Sequence, residues 1–231
     1  IYIEFCKSSF TNLDLNGLSI LLDCANGATY SVAPKVFTEL GANVDTIAAS
    51  PDGININQNC GSTSPNALKE AMLRGSYDLG VAFDGDGDRI LIVNSDGEVL
   101  DGDDILYILS KTIPDDSGVV GTLMTNKALE LYFQNEGIQF SRADVGDKYV
   151  LQSLVQKSWF LGGEPSGHII CLDSAPTGDA IIAALKLLNA IKANEFSIER
   201  SLEGFKKFPQ TLINLKVDNP NKIIVSDKFW E

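Results

Sequence analysis

Histidine is almost missing: His168 is the only one in 231 residues, which excludes any site built on two histidines. Cysteine is sparse as well. Cys6, Cys24, Cys60 and Cys171 lie far apart and form no C-x-x-C pair. That argues against a zinc ribbon and suits a reducing compartment, so the expected location is the cytoplasm. Basic residues are outnumbered, with 18 Lys+Arg against 31 Asp+Glu and a net charge of −13. A polyanion needs clustered cations to displace its counterions, so no nucleic-acid partner is expected. An anionic membrane surface is disfavoured for the same reason, and no apolar run is long enough to span a bilayer. Neither a G-x-x-x-x-G-K-[ST] phosphate loop nor a G-x-G-x-x-G dinucleotide fingerprint occurs. The sequence opens at Ile1 rather than methionine and reads as a piece of a longer polypeptide.

What is present is ordinary globular material, 44% apolar and 21% charged. Apolar runs at 18–23, 42–49, 78–83 and 89–93 predict strands. A helical stretch ending at Gly41 and a helix punctuated by Ser64, Pro65 and Gly75 lie between them. A helix over 102–112 starts with acids, where the helix dipole favours them. The pattern then repeats. Strands are predicted at 118–124, 138–145, 159–163 and 168–173, with helices at 127–137, 147–157 and 178–191. Gly102-Asp103-Asp104-Ile105 echoes Gly178-Asp179-Ala180-Ile181, each after a strand–loop–strand hairpin. The expected fold is α/β: two similar mixed-sheet domains with flanking helices. A first segment at 1–12 precedes units at 13–115 and 116–210. Residues 208–217 read as a strand, and 211–231 as a connection to something further.

Two loops carry the chemistry. In DGDGDR (84–89), Asp84, Asp86 and Asp88 alternate with glycine, and alternate side chains of an extended chain share a face. Two like charges at 4 Å repel by roughly 4 kcal/mol at an effective dielectric of 20. Arg89 alone does not neutralise three of them, so a hard divalent cation, Mg²⁺ first, is the natural complement. An EF-hand is rejected, because its glycine and glutamate places hold Arg89 and Ser95. The bland alternative is a solvated acidic turn. The loop follows the carboxyl end of an apolar strand, where open α/β sheets place ligands.

GGEPSGH (162–168) occupies the matching hairpin of the second unit. Glu164 and Ser166 suit vicinal sugar hydroxyls, and His168 titrates near neutrality when unperturbed. A serine nucleophile elbow does not fit, since Ser166 falls one place late in Gly163-Glu164-Pro165-Ser166-Gly167. A tight turn with a satisfied histidine is the structural alternative. Arg142 and Lys148 flank a strand-to-helix turn; they are either phosphate contacts or solvated charges.

DGDGDR (84–89), GEPSGH (163–168) and TGDA (177–180) together resemble the α-D-phosphohexomutases. IEFCKSSF (3–10), LDCANGATY (22–30), GTLMTN (121–126) and VGDKYV (145–150) resemble the bacterial branch that acts on glucosamine phosphates. The resemblance implies the second and third of four domains, with the first and fourth missing as partners. It implies interconversion of glucosamine 6-phosphate and glucosamine 1-phosphate through a phosphoserine outside this chain. The isolated piece is then expected to be inactive. It also implies Mg²⁺ on Asp84, Asp86 and Asp88, and catalytic roles for Arg89 and for His168 as general acid/base. Hexosamine phosphate would be held by Glu164, Ser166 and Lys148, and a homodimer is admitted. Lys148 stands where the branch has arginine and loses its bidentate fork. Asp144, Pro165 and Ala180 also depart from the pattern. A glucose or mannose phosphate mutase, and a non-catalytic sugar-phosphate binding module, are the alternatives.

Overall fold

The computed structural model describes residues 1–211 and residue 213. Helix α1 (Tyr2–Ser9) leads into a five-stranded sheet of order β2-β1-β3-β4-β5. Its strands are β1 (Ser19–Asp23), β2 (Asn43–Ile47), β3 (Leu79–Phe83), β4 (Ile90–Asn94) and β5 (Val99–Leu100). β1 runs parallel to β2 and β3, while β4 returns antiparallel beside β3 and β5 beside β4. Side chains alternate across the sheet, as the pleat requires. Ile20 and Leu22 join α2 (Ala33–Glu39) through Val36 and Phe37, whereas Leu21 joins α3 (Asn66–Arg74) through Leu68 and Met72.

The second sheet has order β7-β6-β8-β9. It comprises β6 (Gly118–Thr122), β7 (Gln139–Ala143), β8 (Leu161–Gly163) and β9 (Ile169–Cys171). β6 is parallel to β7 and β8, and β9 pairs antiparallel with β8. α5 (Lys127–Glu136) packs on one face through Leu129 and Phe133, and α6 (Asp147–Lys157) on the other through Val150 and Leu154. The two units therefore share the order and direction of four strands, and the first adds β5 at its edge.

They are joined by α4 (Gly102–Ser110) and α7 (Ala180–Ile191), which pack on each other within one apolar cluster. All nine residues of α4 are buried. Its apolar residues Ile105, Leu106, Ile108 and Leu109 are buried on every side, and the helix fills the seam between the sheets. α4 also packs on β8 of the second unit. Short α8 (Ile198–Ser201) follows.

Several expectations are corrected. Ser64 does not cap α3: its N–H closes a turn onto the Gly61 carbonyl, and Pro65 takes the N-cap position without a side-chain bond. The strand expected at 42–49 ends at Ile47, because Ala48 turns left-handed at φ 47°. α1 and the two-residue β5 went unread. The Gly-Asp echo hides an offset: Asp101 caps α4, while Asp179 caps α7. Residues 208–211 form no strand. Phe208 instead exchanges two hydrogen bonds with the Asn126 side chain, at 2.9 and 3.1 Å. Apart from Ile213, the remainder of that expected strand and of the 211–231 connection lies outside the described residues.

The start of α4 holds this departing segment. Asp101 and Asp104 form a reciprocal capping box, and both carboxylates pair with Lys207 at 2.7 and 2.6 Å. Asp103 is 2% exposed; its Oδ2 accepts the Asn126 N–H at 2.8 Å, and its Oδ1 has no partner. Burial, with the Asp101 charge adding to it, pushes its carboxyl up to about 6. The folded state thus holds this proton more tightly than the unfolded chain. That stabilisation is complete below the ordinary carboxyl value of 3.8 and is lost as pH rises through about 6. Asp103→Asn should remove it. Urea unfolding at pH 4 and pH 7 should show the variant-minus-parent stability changing by about 2–3 kcal/mol, the variant gaining at the higher pH.

Candidate functional site

The acidic loop leaves β3 at its carboxyl end and returns as β4. Asp84 is nearly buried, and its Oδ1 accepts the N–H groups of Gly87, Asp88 and Arg89 at 3.0–3.1 Å. One carboxylate oxygen therefore folds the loop, leaving the other oxygen free for a ligand. Burial, then contact with Asp88, raises the Asp84 carboxyl above its ordinary value. Oxygens of Asp84, Asp86 and Asp88 all lie within 4.8 Å of one another. Arg89 Nε approaches Asp84 and Asp88 only to 3.8 and 3.6 Å, and the buried Asp88 Oδ1 has no hydrogen-bond donor. An acceptor-only oxygen set with an orphaned buried oxygen fits a hard divalent cation.

The Glu-Pro-Ser-Gly-His hairpin lies against this loop. The Ile90 N–H donates to the Gly167 carbonyl at 3.0 Å, and Arg89 and His168 form an antiparallel bridge. Gly167 is required here. Its φ is +92°, and a Cβ would fall 2.0 Å from the Ile90 carbonyl oxygen. Gly102 approaches as closely from α4: a Cβ there would lie 1.9 Å from the Glu164 carbonyl oxygen. His168 is 5% exposed, with Nδ1 3.3 Å from Asp88 Oδ2 and Nε2 facing Gly178. The Ala180 N–H, at the start of α7, donates to the Gly87 carbonyl at 2.9 Å. Both units thus build the acidic loop's surroundings. Between the two loops opens a cavity of about 460 Å³, whose walls include Asp88, Arg89, Met124, Glu164, Ser166 and His168.

Comparison with known proteins agrees with this architecture. Residues 1–97 match the family model described as phosphoglucomutase/phosphomannomutase, alpha/beta/alpha domain II, and residues 101–208 match domain III. The chain belongs to the phosphoglucomutase/phosphomannomutase family. It is 52% identical to a phosphoglucosamine mutase of Pseudomonas entomophila, across all of this chain and 54% of that protein. It is 54% identical to one from Aeromonas salmonicida, across 93% of this chain and 50% of that protein. The chain therefore spans about half the length of the curated relatives it matches. A Burkholderia thailandensis structure of the family superposes with TM-score 0.78 at 22% identity, covering 88% of this chain and 46% of that one. An Aspergillus fumigatus N-acetylphosphoglucosamine mutase, solved with GlcNAc-6P and magnesium, gives 0.77 at 19%, covering 94% and 55%. At these identities the structures attest the fold. Among the described residues no helix is long and apolar enough to cross a membrane.

In this phosphohexomutase chain, seven of the eight expected site residues meet around the two loops. Lys148 does not: it is exposed, and its Nζ sits 4.6 Å over the Tyr149 ring. Arg142 is structural. It pairs with Glu130 at 2.7 Å and donates to the carbonyls of Thr122 and Thr125, so its fork is already filled. The departures from the family pattern are tolerable for different reasons. Ala180 acts through its backbone N–H, and Pro165 offers its carbonyl to Gly102. Sequence reasoning missed Met124 as a cavity wall. It also missed Gly146, whose N–H donates to Glu164 Oε1 at 3.0 Å; the Val-Gly-Asp turn was the available signal.

Gly167→Ala should destabilise the protein by well over the roughly 1 kcal/mol that a left-handed alanine costs. Gly17→Ala is the control, since Gly17 has φ +89° but nothing within 4 Å of its Cβ position. Equal losses in denaturant unfolding would contradict the close approach at Ile90.

Proposed function

We propose that this chain is the metal- and sugar-binding middle of a phosphoglucosamine mutase, interconverting glucosamine 6-phosphate and glucosamine 1-phosphate. The observation that carries this reading is the direct seating of the Glu-Pro-Ser-Gly-His hairpin on the acidic loop, closed by the His168–Asp88 contact. Identity above 50% to phosphoglucosamine mutases supports the amino-sugar substrate over glucose or mannose phosphates.

In this reading Asp84, Asp86 and Asp88 hold Mg²⁺, which when bound supplies positive charge to a phosphoryl group in transfer. Arg89 adds a fixed cation at the same wall. Glu164 and Ser166 grip sugar hydroxyls, with Glu164 oriented by the Gly146 N–H. His168 is the candidate for moving a proton at a sugar oxygen; its Nδ1 is engaged by Asp88 and its Nε2 packs against Gly178, so the transfer requires the imidazole to turn toward the cavity. Lys148 serves as a phosphate contact only after its side chain leaves the Tyr149 ring. The phosphoserine and further phosphate contacts come from parts of the parent outside this chain. Four buried free thiols suit a reducing, cytoplasmic setting. A homodimer belongs to the same reading, and sedimentation of the parent decides it.

The rival reading, a binding module without turnover, rests on the absence of a phosphoserine segment from the sequence given. Turnover of glucosamine 6-phosphate by the complete gene product, with a hexose bisphosphate activator, rules it out. The isolated chain should show none. Asp86→Asn should weaken Mg²⁺ binding to the complete protein by at least ten-fold in calorimetry. An unchanged affinity removes the acidic loop as the metal site.

A further inference from the structure

Asp23 ends β1 fully buried, at 0% exposure. Among the described residues it has no cationic partner. Its two oxygens go to backbone donors of different loops: Oδ1 accepts the Ala25 N–H at 3.0 Å, and Oδ2 the Gly61 N–H at 2.7 Å. A buried carboxylate costs heavily unless its acceptors are filled. An apolar side chain would serve a purely packing role at lower cost, so the two loops are the reason for the charge.

Both loops converge on the residues that introduce the acidic loop. In the first, Ala25 and Asn26 are consecutive left-handed residues, at φ 54° and 48°. Such backbone persists only where its surroundings over-determine it. It carries the Ala28 N–H onto the Gly85 carbonyl at 2.8 Å, and Gly27 lies so close that a Cβ would be 2.3 Å from the same oxygen. In the second loop, the Ser62 N–H holds the Phe83 carbonyl at 2.8 Å, and a Cβ on Gly61 would meet that oxygen at 2.6 Å. Ile56 and Asn57 close over Gly85 from the other side. The loops also bond each other, Asn57 N–H to Ala25 carbonyl at 2.8 Å. Phe83 and Gly85 flank Asp84 and precede Asp86, so their carbonyls fix where those two carboxylates start.

The geometry points to Asp23 as a positioning residue for the metal loop, acting through the loops 24–28 and 56–62 that its carboxylate ties together over Phe83 and Gly85. This rests on the assignment of Asp84, Asp86 and Asp88 as the cation site. Asp23 touches neither the cation nor the sugar; it sets the spacing of the ligands.

The test uses the complete gene product, with Mg²⁺ binding measured by calorimetry well below the melting temperature. Asp23→Ala should weaken Mg²⁺ binding about ten-fold. Asp23→Asn, which keeps an acceptor for one N–H, should weaken it less. The KM for sugar phosphate at saturating Mg²⁺ should change less than two-fold in both. Native Mg²⁺ affinity in a folded Asp23→Ala protein of lowered melting temperature would make Asp23 structural only and overturn the inference. If Asp23→Ala does not fold, Asp23→Asn and Gly61→Ala carry the same test, and native affinity in both overturns it. Asp86→Asn in parallel separates the two failures. A loss there with none at Asp23 sinks the positioning role alone, while no loss in either sinks the cation site as well.

Discussion

Everything in this site depends on how closely the 163–168 hairpin can approach the start of β4. Two backbones meet at Ile90 and Gly167 with no room for a Cβ between them. The contact matters because it converts two independent sheets into one continuous surface. Without it, only the α4–α7 seam and the Ala180–Gly87 bond would set the spacing between the acidic loop and the 163–168 hairpin. The same closeness brings His168 to Asp88 and lets the first turn of α7 donate to Gly87. A pair of charge-bearing loops held by backbone contacts is less sensitive to side-chain rotamers than one held by ion pairs alone.

The electrostatics follow from that arrangement. Residues 84–104 contain eight of the chain's acids and one base. The structure divides this concentration into two centres of different character. Asp84, Asp86 and Asp88 bring carboxylate oxygens within 4.8 Å of one another, with Arg89 too distant to bond them well. Asp101 and Asp104 instead find Lys207 at hydrogen-bonding distance and cap a helix. The first set has only the loosely placed Arg89 beside it, and the second has a cation at hydrogen-bonding distance. The composition of a segment therefore says less than the partners its fold supplies.

Much of this was legible in the sequence, for identifiable reasons. The apolar runs at 78–83 and 89–93 become Leu79–Phe83 and Ile90–Asn94, each buried on both faces, so their strands announce themselves. The alternation of Asp and Gly in 84–88 pointed to three converging carboxylates, and the structure brings their oxygens within 4.8 Å of one another. Other features had no local signature. α1 follows Ile1 at its N-cap, without a side-chain cap to announce it, and β5 is only two residues long. Ser64 has the chemistry of a cap, but the chain enters α3 through a turn that its backbone closes. Arg142 and Lys148 looked equivalent beside one turn. Only the position of Glu130 on α5, twelve residues earlier, separates the filled guanidinium from the exposed amine. Asp23 fell unremarked within the apolar run 18–23, since its partners are backbone groups that no side-chain pattern reveals.

The shared interior of α4 and α7 has a mechanical meaning for whatever occupies the cavity. Two helices buried within one apolar cluster do not slide without opening voids in close-packed material. The floor formed by the two loops therefore behaves as one solid piece. A ligand that must present first one end and then the other to this floor cannot be accommodated by the floor reshaping itself. It has to turn over on a floor whose shape stays fixed.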